Sequence, residues 1–284
     1  MEPEMDQKTI LITGTSSGIG KATAKRFAAL GWNVVATQRT PEKDTDLREL
    51  PHVLVTRLDV QDRVSIDAAI EAGIARFGRI DAVVNNAGYG QYGLFEGLNQ
   101  SRIDQQFQVN VFGVMNVMRA ILPHFRKYQG GTIVNISSGA GVFGLPMVSL
   151  YCASKFALEG FSEAVSYELA SQGITVKLVI PHGGVSATEF HSRSAQEFSK
   201  AETLGDYQDF VEKTNAVFAK MAGGRLMDSD YVAGFVEQAM TDGSNRLRYY
   251  VGDDARGFID ARLHKGEDAY MAHMHSYFDT GTAK

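Results

Sequence analysis

Apolar runs rich in β-branched residues alternate with segments of helical period from the N-terminus to about residue 180. Runs of this length and composition are typical of buried strands. When strands alternate with helices, right-handed crossovers make the strands parallel and place helices on both faces of the sheet. We therefore predict an α/β fold, a doubly wound parallel sheet whose ligand crevice lies at the carboxyl ends of the strands. The predicted strands are residues 8–13, 33–38, 53–59, 82–85, 132–136 and 175–180.

Amphipathic segments separate these strands. In residues 64–77 the apolar side chains fall on one face, which is the pattern of a helix that packs against a sheet. The predicted helices are residues 19–30, 64–77, 103–125 and 150–170.

The alternation weakens after residue 185. Residues 186–225 are polar, with weak helical periodicity over residues 210–221. Polar insertions at the ligand edge often serve as substrate lids, although a surface helical excursion explains the composition equally well. The last predicted elements are a helix near residues 228–240, a strand at residues 248–251 and a C-terminal tail from about residue 252.

Length, charge and cysteine content limit the class of protein. A chain of 284 residues fits one large α/β domain, so we treat residues 1–284 as a single domain. A net charge of −5 argues against nucleic acid or an anionic membrane as the main partner. No run of about 20 apolar residues could span a bilayer, and the polar N-terminus does not resemble a signal peptide. Cys152 is the single cysteine, which excludes an intrachain disulfide and suggests a cytoplasmic location.

The first predicted strand leads through a glycine-rich turn, TGTSSGIG, directly into a helix. Glycine is needed where a backbone turns sharply, approaches a pyrophosphate closely or packs a helix against a strand. The helix N-terminus then offers unpaired N–H groups to the phosphates. A plain tight turn is the alternative, but the strand–turn–helix context favours a dinucleotide site of the Rossmann type. The predicted cofactor contacts in this turn are Gly14, Ser16, Ser17, Gly18, Ile19 and Gly20.

Together with this turn, further motifs resemble the short-chain dehydrogenase/reductase family, in its single-domain branch. Residues 85–88 match the family's NNAG motif, Asn110 its helix asparagine and Ser138 its catalytic serine. Tyr151 and Lys155 match the YxxxK motif. The motifs follow the family's order from about residue 8 to residue 185, and the NNAGYG and VGDDAR segments are similar to hydroxysteroid-dehydrogenase-like carbonyl reductases. The resemblance also places Asn86, Ala87, Gly88, Pro181 and Val185 at the cofactor.

The end of the second strand indicates which nicotinamide cofactor is used. An acidic residue at this position binds the ribose 2′-OH of NAD, whereas here Gln38 is uncharged and Arg39 follows it. A guanidinium group without a neighbouring carboxylate favours the 2′-phosphate of NADP(H), as in family members with arginine at this position. A solvated loop arginine is the alternative. Asp59 and Val60 resemble the family's pair beside the adenine ring.

Tyr151 and Lys155 lie four residues apart on a predicted helix and therefore face the same crevice. A nearby ammonium and the positive charge of an oxidised nicotinamide are expected to lower the tyrosine pKa. We expect Tyr151 to protonate a carbonyl oxygen as hydride arrives, and Ser138 to hydrogen-bond that oxygen. The resemblance implies that Lys155 also binds the nicotinamide ribose and that Asn110 holds a water that relays protons. Each residue alone has an ordinary structural explanation, but their combination favours catalysis.

One position departs from the family pattern. The family usually has Pro-Gly after the sixth strand, whereas this chain has Pro181 followed by His182. We hypothesise that His182 lines the substrate pocket or adjusts the lid. The family threonine that binds the carboxamide corresponds to Ser186 or Thr188, and Val185 is a candidate backbone contact.

Apolar residues near the predicted site suggest a roomy pocket for a ketone or secondary alcohol, although ordinary core packing is the alternative. The candidates are Tyr89, Tyr92, Phe143, Leu145, Met147, Phe190 and Phe198.

Other functions compete with an NADP(H)-dependent reductase. A non-catalytic NADP(H)-sensing regulator could use the same fold, but it would need none of the acid–base residues. A sugar epimerase or dehydratase is disfavoured by the glycine spacing and chain length. We expect no metal site, because His273 and His275 lack further ligands and Cys152 suits a small buried residue. The resemblance implies a homo-oligomer, a dimer or a tetramer, formed through the helices predicted at residues 103–125 and 150–170.

Overall fold

The computed structural model describes residues 7–182, 204–222, 227–254 and 256–278. Their strands form one seven-stranded sheet in the order β3-β2-β1-β4-β5-β6-β7, and every neighbouring pair is parallel. The predicted doubly wound, Rossmann-type fold in a single domain is confirmed. The strands are β1 (Thr9–Thr13), β2 (Asn33–Gln38), β3 (Val53–Arg57), β4 (Ala82–Asn85), β5 (Gly131–Ile136), β6 (Ile174–Pro181) and β7 (Arg248–Val251).

Helices cover both faces of this sheet, which explains why the central strands are almost continuously apolar. All residues of β1, β2 and β4 are buried, whereas the edge strand β3 is only partly covered. Within the described ranges the helices are α1 (Gly18–Ala29), α2 (Arg63–Phe77), α3 (Gln100–Phe107), α4 (Gly113–Lys127), α5 (Ser149–Ala170), α6 (Gln208–Ala222), α7 (Ser229–Thr241), α8 (Phe258–His264) and α9 (Glu267–Phe278).

Alternate residues of the strands supply two cores. Leu11 of β1 packs with α2, α4 and α5 on one face, and Ile10 and Ile12 pack with α1 and α7 on the other. Phe125 fills the first core and Phe27 the second, and both are completely buried. The sheet register therefore also determines which residues reach each helical layer.

Helix boundaries follow capping groups that the hydrophobic period does not reveal. The Asp62 carboxylate accepts hydrogen bonds from the backbone of Val64 and Ser65, so α2 begins at residue 63. The Asn99 amide accepts from Arg102 N, which starts α3 three residues before the predicted boundary. The single helix predicted at residues 103–125 is interrupted by a π-helical turn, Gln108–Phe112.

The segment predicted as a C-terminal tail folds instead as α8 and α9. Phe258, Tyr270 and Met274 are buried in a third apolar cluster with residues of β6. Both helices are short, and Gly257 and Gly266, which have positive φ angles, precede them. The sequence therefore contains no helical period long enough to detect.

The predicted lid is only partly covered by the structure. Its residues 186–203 and 223–225 lie outside the described residues, while the weak period at 210–221 corresponds to α6. In the described part, Phe218 of α6 makes edge-to-face ring contacts with Tyr92 at 6.1 Å and Phe278 at 6.0 Å. The Tyr207 hydroxyl, just before α6, donates to Glu96 Oε2 at 3.0 Å. Among the described residues, no helix combines the length and apolarity needed to cross a membrane.

A buried cation joins β6, β7 and the end of α7. The Lys177 side chain is 4% exposed, and its Nζ donates to Asp242 Oδ1 at 2.8 Å and to the Tyr249 hydroxyl at 3.2 Å. Tyr249 in turn donates to Asp242 Oδ2 at 2.6 Å. Despite partial desolvation, the hydrogen bonds from Lys177 and Tyr249 hold the pKa of Asp242 well below its usual range. This stabilisation is therefore present at neutral pH and is lost as pH falls below the usual carboxyl range.

We predict that Asp242→Asn lowers the free energy of unfolding by about 3 kcal/mol, because it leaves the Lys177 ammonium buried without its counter-charge. Asp67→Asn is the matched control, since Asp67 pairs with Arg63 on the exposed face of α2 and its loss should cost less than about 0.5 kcal/mol. Urea unfolding at pH 7 measures both values. Equal effects would show that the buried pair contributes no more than a surface pair.

Candidate active site

A cavity of about 790 Å³ opens along the carboxyl edge of the sheet. Because the strands are parallel, the residues that follow β1 to β6 all meet at this edge. Most of the predicted site residues line this cavity: Gly14, Ser16, Ser17, Gly18, Ile19, Arg39, Asp59, Val60, Asn86, Ala87, Gly88, Ser138, Tyr151, Lys155 and Pro181. Gly20 and Asn110 lie behind the wall, and Val185 lies outside the described residues.

The glycine-rich turn has room for backbone only. Gly14 and Gly18 have φ angles of 72° and 56°, in the left-handed region that favours glycine. A Cβ atom on Gly20 would overlap the Asn86 side-chain nitrogen and the Gly14 carbonyl oxygen. Ser17 is the N-cap of α1, yet its side chain makes no capping hydrogen bond. The first N–H groups of α1 and the serine hydroxyls thus fit a dinucleotide phosphate.

Hydrogen bonds between the ends of β1 and β4 hold this turn in place. The Thr13 hydroxyl accepts from the backbone N–H groups of Asn86 and Ala87, both at 3.0 Å. The Asn86 amide donates to the carbonyl oxygens of Thr13 and Gly14, at 2.9 and 3.0 Å. These bonds join the first part of the NNAG segment to the phosphate turn.

The cavity wall at the end of β2 carries no carboxylate. Gln38 is buried and its amide donates to Asp44 Oδ2 at 2.6 Å, while the exposed Arg39 lines the cavity. At the end of β3, Asp59 Oδ1 accepts from the backbone of Gln61, and the next residue, Val60, is buried. This part of the cavity therefore presents the Arg39 guanidinium, the Asp59 carboxylate and the apolar Val60.

Ser138, Tyr151 and Lys155 converge on one wall of the cavity. Ser138 lies two residues after the end of β5, and the two others lie on the first two turns of α5. Lys155 Nζ lies 5.8 Å from the centre of the Tyr151 ring and donates to the Ile136 carbonyl oxygen at 2.8 Å. The Ser138 hydroxyl hydrogen-bonds the Tyr151 side chain and accepts from Ala140 N at 3.2 Å.

Burial is the main influence on the pKa values of Tyr151 and Lys155. Desolvation raises the pKa of Tyr151 well above its ordinary value, and the hydrogen bond with Ser138 opposes the shift only in part. In the protein alone, the Lys155 ammonium, which donates to the Ile136 carbonyl, does not offset this rise. Burial also lowers the pKa of Lys155 to about 8, against the opposing charge of Glu159. The Tyr151 phenol of the protein alone is therefore protonated at neutral pH.

Asn110 lies in the π-helical turn and is buried behind the cavity. Both ends of its side-chain amide form hydrogen bonds: Oδ1 accepts from Tyr89 N at 3.1 Å, and Nδ2 donates to Tyr89 O at 2.9 Å and Ser154 Oγ at 3.1 Å. Asn110 therefore fixes the loop after β4 to helix α5. Single π turns of this kind are frequent at functional sites.

Gln106 also binds the loop after β4, forming with Asn110 a clamp on that loop, and it was not predicted from the sequence. Its amide accepts from Gln91 N at 2.7 Å and donates to Tyr89 O at 2.9 Å. The available signal is its position four residues before Asn110, which would place both amides on one face of the helix predicted at residues 103–125. A second unpredicted residue is Thr13, whose hydroxyl a buried-strand pattern does not distinguish from an apolar group.

His182 follows Pro181 on the cavity wall and is 8% exposed, as expected for a residue that lines the pocket. Of the predicted apolar lining, Tyr89, Tyr92, Phe143 and Leu145 reach the cavity, whereas Met147 is buried in the core instead. The remaining candidates, Ser186, Thr188, Phe190 and Phe198, lie outside the described residues.

Cys152 is buried beside Tyr151, and desolvation raises the pKa of its thiol. This environment suits a packed side chain rather than a nucleophile. Among the residues described, no three histidine, cysteine or acidic side chains are grouped so as to hold a metal ion. His273, one of the two histidines considered, contacts the Arg256 carbonyl oxygen through Nε2 at 2.6 Å.

Comparison with known proteins agrees with this geometry. An uncharacterised oxidoreductase of Schizosaccharomyces pombe is 37% identical over 238 residues, which cover 82% of this chain and 96% of the relative. A solved short-chain dehydrogenase from Streptomyces avermitilis superposes with a TM-score of 0.78 at 32% identity, over 95% of this chain and 96% of that one.

Solved structures of similar chains contain either nicotinamide cofactor. ElxO with NADP bound has a TM-score of 0.70 at 26% identity, over 86% of this chain and 97% of its own. A 3-ketoacyl-(acyl-carrier-protein) reductase of Brucella melitensis, with the same score, identity and coverage, was solved with NADH. The family model for short chain dehydrogenase matches residues 8–197. The chain therefore belongs to the short-chain dehydrogenase family of oxidoreductases.

Proposed function

We propose that this oxidoreductase transfers hydride between NADP(H) and a ketone or secondary alcohol, with Tyr151 as the general acid and base. The observation that carries the proposal is the convergence of Ser138, Tyr151 and Lys155 on one wall of the cavity that begins at the glycine-rich turn. A sensor of NADP(H) would need the turn but not this wall.

The residues along the cavity fit an extended dinucleotide. The turn at Gly14–Gly20 would bind the pyrophosphate, Asp59 and Val60 the adenine, and Arg39 the 2′-phosphate. The further contacts would come from Asn86, Ala87, Gly88, Pro181 and Val185. When bound, the nicotinamide ring supplies or accepts the hydride, and the protein supplies position and electrostatics.

In the reductive direction, Tyr151 donates its proton to the carbonyl oxygen as negative charge develops there. Its raised pKa keeps the phenol protonated and ready to donate. Ser138, already hydrogen-bonded to the phenol, would donate to the same carbonyl oxygen and orient it. The Lys155 ammonium then stabilises the phenolate that remains and binds the ribose hydroxyls.

Asn110 would act in this reaction chiefly by position. Because both N–H groups of its side-chain amide donate to Tyr89 and Ser154, the proposed relay water would bind a carbonyl oxygen of the π turn. We also propose that residues 186–225 form a substrate lid. The exposed Phe112 and Phe156, near the start of α4 and on α5, support assembly of a homo-oligomer through these helices.

Replacing Tyr151 by Phe should lower kcat for ketone reduction by about 10²- to 10⁴-fold, because only the proton donor is removed. The affinity for NADPH should change less than about threefold. Tyr167→Phe is the matched control, since Tyr167 lies on the same helix and is 73% exposed. Near-normal turnover by Tyr151→Phe in a steady-state NADPH oxidation assay would refute its catalytic role.

Arg39→Leu should lower kcat/KM for NADPH by about 10- to 100-fold while changing that for NADH less than about threefold, because a charge-assisted contact to the 2′-phosphate is lost. Arg63→Leu, on the exposed face of α2, controls for the loss of a surface arginine. Equal losses with both cofactors would contradict the assignment of Arg39 to the 2′-phosphate.

The kcat/KM for NADPH should fall as pH rises through about 8, because Lys155 loses its proton there. Tyr151, whose pKa is raised, stays protonated over this range. In Lys155→Arg the guanidinium cannot deprotonate, so the remaining kcat/KM should not fall near pH 8. A fall in kcat/KM near pH 8 that persists in Lys155→Arg would assign the titration to another group.

A further inference from the structure

Glu159 of α5 is a buried carboxylate that the proposed reaction does not use. The residue is 6% exposed, and its Oε2 accepts from Arg248 Nε of β7 at 2.9 Å. Arg248 also donates to the partly exposed Glu163, one turn further along α5. Within the described part of the chain, Oε1 of Glu159 is buried and accepts no hydrogen bond. A carboxylate that is withdrawn from water and only half paired favours a further cation nearby.

Lys155 lies one helical turn before Glu159. Side chains four residues apart on a helix lie on the same face, with their Cβ atoms about 5–6 Å apart. Lys155 is 7% exposed, so both residues are largely removed from water. The turn Gly139–Gly141 covers this part of α5, because a Cβ atom on Gly141 would lie 3.0 Å from the Lys155 carbonyl oxygen and 3.1 Å from the Glu159 Cγ. Glycine at position 141 therefore lets the turn approach the helix between the two residues.

The charge of Glu159 acts on the Lys155 ammonium. The hydrogen bond of Lys155 Nζ goes to the Ile136 carbonyl oxygen, which belongs to a group without net charge. Burial lowers the pKa of Lys155, and the charge of Glu159 opposes this effect. Charges interact more strongly in a buried environment of low dielectric constant than they do in water. Glu159 therefore favours the protonated form of Lys155.

The other titratable groups around this part of α5 do not supply the same charge. Those on elements that pack against the helix or bond to Glu159 are Arg102 and Asp104 of α3, Lys177 of β6, His182 after β6, and Arg248, Tyr249 and Tyr250 of β7. Asp104 is exposed and accepts from the Gln100 amide at 2.8 Å. Burial keeps three groups neutral near pH 8, because it raises the pKa of Tyr151 and Cys152 and lowers that of His182. Among the described residues, Glu159 is thus the acidic group placed to compensate Lys155.

We propose that Glu159 is a positioning residue that acts through Lys155, its buried carboxylate keeping the ammonium charged beside Tyr151 and so extending ketone reduction to higher pH. Arg248 orients this carboxylate from β7. The inference rests on the proposed hydride transfer, in which the ammonium stabilises the Tyr151 phenolate, and it adds a residue that does not line the cavity. If Glu159 served only to join α5 to β7, its loss would reduce stability and leave the pH dependence unchanged.

The test compares the pH dependence of kcat/KM for NADPH in the wild-type chain and in Glu159→Gln, which has the same shape without the charge. Without the carboxylate the ammonium loses its proton at lower pH, so the fall expected near pH 8 should move down by about half to one pH unit. At about pH 8 the kcat/KM of the variant should then be about two- to fivefold below that of the wild type. At about pH 6.5 the two values should agree within about twofold.

Two further variants separate charge from structure. Glu159→Asp keeps the charge, so its fall in kcat/KM should stay within about 0.3 pH unit of the wild type. Glu163→Gln is the matched control, since Glu163 pairs with the same arginine but lies two turns from Lys155. It should move the fall by less than about 0.2 pH unit. Melting temperatures show how far each variant weakens the contact with β7.

A direct titration of Lys155 requires no turnover. In a chain labelled with ¹³C at the lysine Cε atoms, the NMR resonance that is absent from Lys155→Arg reports the protonation of Lys155. Its midpoint should also fall by about half to one pH unit in Glu159→Gln. An unchanged midpoint, or an equal shift in Glu163→Gln, would overturn the proposal and leave Glu159 as a structural partner of Arg248. Failure of the underlying function looks different, because the wild-type chain would then reduce no ketone while the Lys155 midpoint still shifted.

Discussion

The hydrogen bonds between the ends of β1 and β4 are the interaction on which the site depends. Thr13 and Asn86 join the glycine-rich turn to the NNAG segment, so these two parts of the cavity wall are held against each other. Parallel strand order then places the residues after β5 and β6 at the same edge. The cavity wall at Ser138 and Tyr151 is therefore positioned by backbone register and by a few buried polar contacts rather than by direct bonds to the turn.

Burial determines the chemistry that this wall can perform. Removing Tyr151 from water favours its protonated form, which suits reduction, and the same burial reduces the proton affinity of Lys155. Ordinarily the pKa of a lysine ammonium is slightly higher than that of a tyrosine phenol. Here the two shifts reverse this order, so the pKa of Tyr151 lies above that of Lys155. A bound cationic ring beside them would favour the phenolate, so cofactor binding and proton transfer are coupled through electrostatics.

Sequence patterns predicted the fold and most cavity residues, because buried parallel strands and short motifs at their ends depend on local composition. The π turn around Asn110 and the clamp by Gln106 were not predicted, since they depend on hydrogen bonds to a loop distant in sequence. The packing of α8 and α9 was missed because short helices bounded by glycine carry little periodicity. Likewise, the raised pKa of Tyr151 could not be read from its spacing to Lys155, since it depends on how deeply the folded chain buries the phenol.

The central claim is that the cavity joins a hydride donor to the proton donor Tyr151. Its most direct test is a panel of ketones incubated with NADPH deuterated at the transferable C4 position, and in parallel with NADH, followed by mass spectrometry of the products. We expect alcohols that carry one deuterium at the carbinol carbon, and we expect them to form faster with NADPH than with NADH. Tight binding of NADPH without any deuterated alcohol would contradict it and would instead support a sensor of the cofactor.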